Sequence, residues 1–138
     1  IATYPLGTRA VQIPDSLTAS RFLEAFGRAD RVQTCSCERT ADASVTQALH
    51  LNNGVTLNDK LRGDKSVVAA WLEAKLGDEA IVERLFLAAL SRPPSAEEKA
   101  KFVKILGDAA KDGAVARRDA IEDFVWAVLT GREFLFNH

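Results

Sequence analysis

The fold of this chain is decided by residues 78–98, which read DEAIVERLFLAALSRPPSAEE. Apolar residues recur at helical spacing in its first part: Ile81, Val82, Leu85, Phe86, Ala89 and Leu90. A stripe this wide faces a protein core, so we expect this helix to be the central one. Pro93 and Pro94 end it, because proline disfavours helical backbone at itself and at the residue before it. Ser95 and Glu98 have the spacing of a capping box, which predicts that the next helix begins here.

The helical pattern continues on both sides of this stretch. Further helices are predicted over residues 20–26, 42–51, 56–62, 67–76 and 96–109, and a last helix contains residues 121–129. Asp42, Ser66 and Asp78 are candidate N-caps, whereas Gly27 and Gly77 are candidate helix ends. We therefore predict an all-α protein, an irregular or orthogonal bundle of five to seven helices.

The first 19 residues differ from the rest. Pro5, Gly7 and Pro14 interrupt them around a strand-like stretch at residues 10–13, which predicts an extended N-terminal arm. With 138 residues and 47% hydrophobic residues, the chain is predicted to form a single helical domain, with an arm at 1–19 and a helical body at 20–138. The start at Ile1 without methionine suggests a C-terminal fragment of a longer protein.

The charge pattern disfavours two classes of partner. Eighteen basic and nineteen acidic residues give a net charge of −1, which provides no electrostatic attraction for nucleic acid or for an anionic membrane. No apolar run approaches the roughly 20 residues that a membrane span needs.

The most reactive side chains are Cys35 and Cys37, the two cysteines of the chain. They can form a disulfide, bind a soft metal or remain reduced. A metal site would use Cys35, Cys37 and His50, with His138 as the other imidazole, but the Cys-x-Cys spacing is not that of common zinc sites. Because periodicity places His50 on the flank of its helix, away from the Val45–Leu49 face, we favour a solvated or capping histidine and predict no metal.

Glu38 and Arg39 follow the cysteines directly. We favour structural roles for them, as hydrogen-bonding partners of helix ends or of other charged groups. The functional alternative is a cleft in which Glu38, Arg39 and Asn53 bind an acidic or sugar ligand. We assign no catalytic residue, since the chain contains no nucleophile elbow, phosphate loop or HExxH motif.

The C-terminal tail carries three large apolar residues, Phe134, Leu135 and Phe136. We expect Gly131 to end the last helix in a left-handed conformation and the tail to dock on the body. Burying two of these side chains would contribute roughly 3 to 5 kcal/mol before ordering costs. Trp71 and Trp126 are predicted to be at least partly buried.

Five segments in order resemble the planctomycete-specific C-terminal domain of large exported proteins. They are residues 22–28 (FLEAFGR), 35–39 (CSCER), 47–54 (QALHLNNG), 90–98 (LSRPPSAEE) and 132–138 (REFLFNH). Asn52 departs from the leucine expected in the third segment. Members of that family often carry an N-terminal planctomycete cytochrome c domain, and their function is unknown.

The resemblance implies an exported protein, periplasmic or extracellular. In such a compartment a Cys35–Cys37 disulfide is favoured, and its small ring would fix the shape of the loop. The CxxCH haem-attachment motif is absent, so we predict no cofactor in this domain. The implied partners are the remainder of the parent chain, which carries cytochrome c in relatives, and a co-encoded sulfatase-like protein.

Two functions are therefore considered. We favour a non-catalytic helical interaction or scaffold domain of an exported multidomain protein. The alternative is a redox-linked or carbohydrate-acting catalytic subdomain centred on the loop at residues 35–39. An exposed apolar patch would favour the first, whereas a deep cleft with reduced thiols would favour the second.

Overall fold

The computed structural model describes residues 4–5, 8–13, 20–27, 45–53 and 55–136. Within these ranges the chain is helical without strands, which confirms the all-α prediction. The helices are α1 (Arg21–Ala25), α2 (Val45–Asn53), α3 (Val55–Arg62), α4 (Val67–Glu73), α5 (Asp78–Leu90), α6 (Ala96–Lys111), α7 (Ala114–Thr130) and α8 (Arg132–Leu135). Six of them, α2 to α7, have seven or more residues. No helix of the described ranges is long and apolar enough to cross a membrane.

The chain divides into two compact units, residues 1–54 and residues 55–138. The prediction of one domain with an arm and a body stays a prediction. In the first unit, a 3-10 turn at Ala10–Gln12 occupies the stretch expected to be strand-like. The turn forms because the Gln12 side chain accepts a 2.8 Å hydrogen bond from the Arg9 amide, while Arg9 and Ile13 on either side are extended.

Helices α1 and α2 contact each other within the first unit. The Ser20 hydroxyl caps α1 by accepting from the Leu23 amide at 3.3 Å, and Gly27 follows α1 with a φ of 78°, as its predicted role requires. Gln47 Nε2 donates to the Ala25 carbonyl across 3.0 Å. Val45 and Leu49, which define the apolar face that periodicity indicates on α2, are both exposed. The predicted cap Asp42 lies outside the described residues.

The second unit has a hydrophobic core, to which every helix from α3 to α7 contributes. Its buried apolar residues are Leu61, Val68, Trp71, Ile81, Val82, Leu85, Phe86, Leu106, Ile121, Phe124 and Val125. Four of these lie on α5, as its apolar stripe predicts. Helix α7 contacts α3, α4, α5, α6 and α8, so it is the helix with the most neighbours. The core is therefore centred on both α5 and α7.

Local signals set most of the helix boundaries in this unit. The Ser66 hydroxyl accepts from the Ala69 amide at 3.0 Å and begins α4. The predicted end at Gly77 is shifted, because Lys75 takes the left-handed conformation after α4 (φ 51°) and Gly77 precedes α5 as its N-cap. The predicted cap Asp78 is accordingly the first residue of α5, and its carboxylate binds the Arg117 guanidinium at 2.6 Å.

The C-terminal segment differs from its prediction in one respect. Gly131 separates α7 from α8 in an extended conformation (φ −68°, ψ 150°), so its predicted left-handed conformation is wrong. The chain turns there because the Gly131 carbonyl accepts from the amides of Phe134 and Leu135, at 3.2 Å and 3.1 Å, which forms the single turn of α8. Trp71 is buried and Trp126 is 36% exposed, so both indoles are at least partly buried as predicted.

Candidate functional site

Most residues of the predicted site lie outside the described residues. This applies to Cys35, Cys37, Glu38 and Arg39, and also to His138. The disulfide and the ligand-binding cleft therefore stay predictions. Asn53 is the last residue of α2.

His50, the remaining metal candidate, lies in an aromatic environment. Its ring centroid is 5.6 Å from that of Phe22 and 6.5 Å from that of Phe26, and the two phenylalanines stack at 4.5 Å. His50 thus faces α1 and is half-buried. In the described ranges, no group of three or more histidine, cysteine or acidic residues is placed to hold a metal ion.

The second unit contains a pocket of about 360 Å³ between the end of α5 and α8. Its lining residues are Ala89, Leu90, Ser91, Arg92, Glu133, Phe134 and Phe136. One wall is thus formed by the last turn of α5 and the residues after it, and the other by α8 and the residue after it. The capping box at Ser95 and Glu98 lies beside it in sequence, so the predicted boundary between α5 and α6 also positions this pocket.

Arg92 connects three segments of the unit through its guanidinium group. Nε and Nη2 donate to the two carboxylate oxygens of Glu133, at 2.5 Å and 2.9 Å. Nη1 and Nη2 donate to the two oxygens of Glu98, both at 2.9 Å, and Nη1 also donates to the Pro93 carbonyl at 3.2 Å. A guanidinium has five N–H groups, and five hydrogen bonds are made here. We call Arg92, Glu98 and Glu133 the Arg92 network.

Glu98 has two tasks in this network. Besides binding Arg92, its carboxylate accepts from the Ser95 amide at 2.7 Å, while the Ser95 hydroxyl accepts from the Glu98 amide at 3.2 Å. This confirms the predicted capping box. The hydrogen bonds from Arg92 and from the Ser95 amide lower the pKa of Glu98 from its usual 4.5 to about 2. Arg92 also lowers the pKa of Glu133.

The guanidinium carbon of Arg92 lies 5.1 Å from the ring centroid of Phe86. Phe86 is itself part of an aromatic group with Phe102 and Phe124, one ring from each of α5, α6 and α7, whose closest centroids are 4.2 Å apart. The Arg92 network therefore packs directly against the aromatic residues of the core. Because all its donors are used within the protein, Arg92 acts here as a structural connector and has no N–H group left to bind an anionic ligand.

The pocket presents aromatic groups to solvent on its α8 side. Phe134 is 39% exposed and Phe136 is 57% exposed. We call these two side chains the α8 aromatic surface. The sequence predicts that the tail docks on the body, and the structure agrees in part, since Leu135 is half-buried whereas Phe134 and Phe136 keep much of their surface exposed. The link between Arg92 and Glu133 was not predicted, since 41 residues separate them and no local pattern joins them.

The fold and this site define an all-α protein whose second unit ends in a short helix tied to its core by an arginine. Over residues 4–106, the chain matches the family model PSD1, described as a protein of unknown function (DUF1553). The chain belongs to this family. No curated protein and no solved structure matches the chain.

The matched range contains Arg92 and Glu98 but ends within α6. Residues 107–138, which supply α7 and α8, lie beyond it. Ile121, Phe124 and Val125 on α7 are buried in the same core as α5, so the matched residues of the second unit depend on α7 for their packing.

Proposed function

We propose that the chain is a non-catalytic helical interaction domain of an exported multidomain protein, and that it docks through the α8 aromatic surface onto the upstream part of its parent chain. The resemblance to planctomycete C-terminal domains supports the exported setting, and in relatives that upstream part carries a cytochrome c domain. A co-encoded sulfatase-like protein is the other partner that the resemblance suggests.

The observation that carries this proposal is the exposure of Phe134 and Phe136 on a helix that the Arg92 network holds in place. Aromatic side chains are enriched among the residues that dominate binding at protein interfaces. Covering the surface that the two rings leave exposed would contribute about 1.5–3 kcal/mol for both together.

The chemistry of the pocket also supports a protein partner. The Arg92 guanidinium has no free N–H group, so the pocket offers a partner the exposed edge of the Glu133 carboxylate, the Ser91 side chain and the apolar surfaces of Ala89, Leu90 and the two rings. A lining that mixes polar and apolar groups in this way is typical of interfaces between protein segments. The rival function, chemistry at the cysteine loop, depends on residues outside the described ranges.

The experiment measures binding of the 138-residue chain to the separately produced upstream part of the parent protein by isothermal titration calorimetry. We expect F136A and F134A each to weaken the affinity by roughly tenfold. The matched control is V115A, which removes a comparably exposed apolar side chain (74%) at the start of α7. We expect V115A to bind as the wild type does.

Equal affinities of F136A, F134A and the wild type would show that the α8 aromatic surface is not the interface. No binding of the wild-type chain to the upstream part would reject the parent chain as partner. A far-ultraviolet circular dichroism spectrum of each variant verifies that the helices are retained.

A further inference from the structure

The two carboxylates that bind Arg92 are held very differently. Glu98 belongs to α6 and is bound both by Arg92 and by the Ser95 amide. Glu133 belongs to α8, its side chain is 54% exposed, and in the part of the chain that the structure describes its hydrogen bonds run to Arg92. Loss of the Glu133 contact would therefore leave α6 capped and Arg92 still bound to Glu98.

The other contacts of α8, with α5 and α7, are made by side chains that are at most half-buried. It consists of four residues, which is far below the length at which a helix is stable by itself. None of its residues is buried, and Phe134 is among the exposed apolar side chains. Its backbone bonds run inside its own turn, from the amides of Phe134, Leu135 and Phe136 to carbonyls of Gly131 and Arg132.

A single glycine joins α7 to α8. Gly131 is extended, between the end of α7 at Thr130 and the start of α8 at Arg132. Rotation at this residue would move α8 without disturbing α7, because the last helical bond of α7 ends at the Gly131 amide, which donates to the Val128 carbonyl at 3.2 Å.

We propose that α8 is a strap that opens about Gly131 while α5, α6 and α7 stay folded, and that the Arg92–Glu133 ion pair sets how often it opens. Opening separates the two walls of the pocket and exposes Ala89 and Leu90 at the end of α5. It also releases the α8 aromatic surface from its fixed position. The proposal goes beyond the proposed function, because it concerns the chain alone and requires no partner.

The test compares amide hydrogen exchange in the wild type, in E133Q and in the control E97Q. Glu97 is an exposed first-turn residue of α6 whose substitution leaves the Arg92 network intact. In E133Q we expect the amides of residues 134–136 to exchange about fivefold faster than in the wild type. This factor corresponds to the upper end of the free energy that an exposed ion pair contributes. Core amides such as those of Leu85 and Leu106 should exchange at the wild-type rate.

Salt and proteolysis give two further readouts. In 1 M NaCl, where the Debye length is about 3 Å, α8 exchange should accelerate in the wild type and in E97Q but not in E133Q. Chymotrypsin cleaves after phenylalanine, so cleavage at Phe134 under native conditions should be faster in E133Q than in the wild type and in E97Q. This rate can be measured even if the α8 amides exchange too fast to compare.

Three results would overturn the proposal. The first is equal α8 exchange and equal cleavage in the wild type and E133Q. The second is exchange of α8 and core amides at one common rate, which would mean that α8 opens only by unfolding of the whole unit. The third is an identical salt response of the wild type and E133Q.

Discussion

Deleting residues 134–138 tests how the C-terminal tail is held. The sequence predicts that docking of the three apolar tail residues contributes several kcal/mol, and hence that deletion lowers the melting temperature markedly. The structure predicts a smaller effect, because Phe134 and Phe136 remain 39% and 57% exposed. We expect the melting temperature of the second unit to fall by less than about 5 °C.

The magnitude follows from opposing contributions to the free energy of unfolding. Full burial of a large apolar side chain contributes about 1.5–3 kcal/mol, so the partial burial of Phe134, Leu135 and Phe136 contributes about 2–4.5 kcal/mol together. The backbone hydrogen bonds of residues 134–136 add about 1.5–4.5 kcal/mol, at 0.5–1.5 each. Ordering the backbone and the side chains of the same residues costs about 4–8 kcal/mol. These contributions nearly cancel, so removing the tail should change the free energy of unfolding of the second unit only slightly.

Tryptophan fluorescence is the suitable assay, because both tryptophans of the chain, Trp71 and Trp126, lie in the second unit. The comparison variant is L106A, which removes a side chain that is 1% exposed from the core. A cavity there should cost about 2–5 kcal/mol and lower the melting temperature by about 10 °C or more.

The reasoning is refuted if the deletion lowers the melting temperature as much as L106A does. That result would mean that the tail is part of the cooperative core, and that α8 cannot open independently.

Three other predictions concern the capping box and the cysteines. The variant S95A should lower the free energy of unfolding by about 1 kcal/mol in urea titrations, because it removes the N-cap of α6. The folded-state pKa of Glu98 is about 2, below its usual 4.5. The ionised Glu98 therefore makes its full contribution to the stability of the fold above pH 4.5, and this contribution is lost as the pH falls towards 2. Acid titrations should therefore show a smaller loss of stability over this range in E98Q than in the wild type or E97Q, and identical curves would contradict this assignment. If Cys35 and Cys37 form a disulfide, neither should react with iodoacetamide in the unfolded chain until a reductant is added, whereas immediate alkylation would show free thiols.

The sequence predicts those parts of the fold that short-range patterns control. Ser66 and Ser95 begin helices as their capping patterns require, and the apolar stripe of α5 is buried. Helix ends without glycine are harder to predict, since Lys75 and Ser91 take left-handed conformations, which residues other than glycine seldom adopt.

The arrangement of the site depends on long-range contacts, which no local pattern encodes. Arg92 and Glu133 are both present in segments that resemble the planctomycete domain, but their pairing requires α7 to bring α8 back to the end of α5. Periodicity indicates Val45 and Leu49 as the apolar face of α2, but both are exposed, and Gln47 and His50 face α1 instead. Periodicity identifies a face but does not determine which neighbour packs on it.

The most direct test of the proposed interface is a hydrogen-exchange map of the 138-residue chain with and without the upstream part of its parent protein. Docking through the α8 aromatic surface predicts that added protection is concentrated in α8 and in the last turn of α5, residues 87–90. The exposed face of α2 at Val45 and Leu49 serves as the internal comparison, because it too offers apolar side chains to a partner. Protection of α2 with no change in α8 would contradict the account.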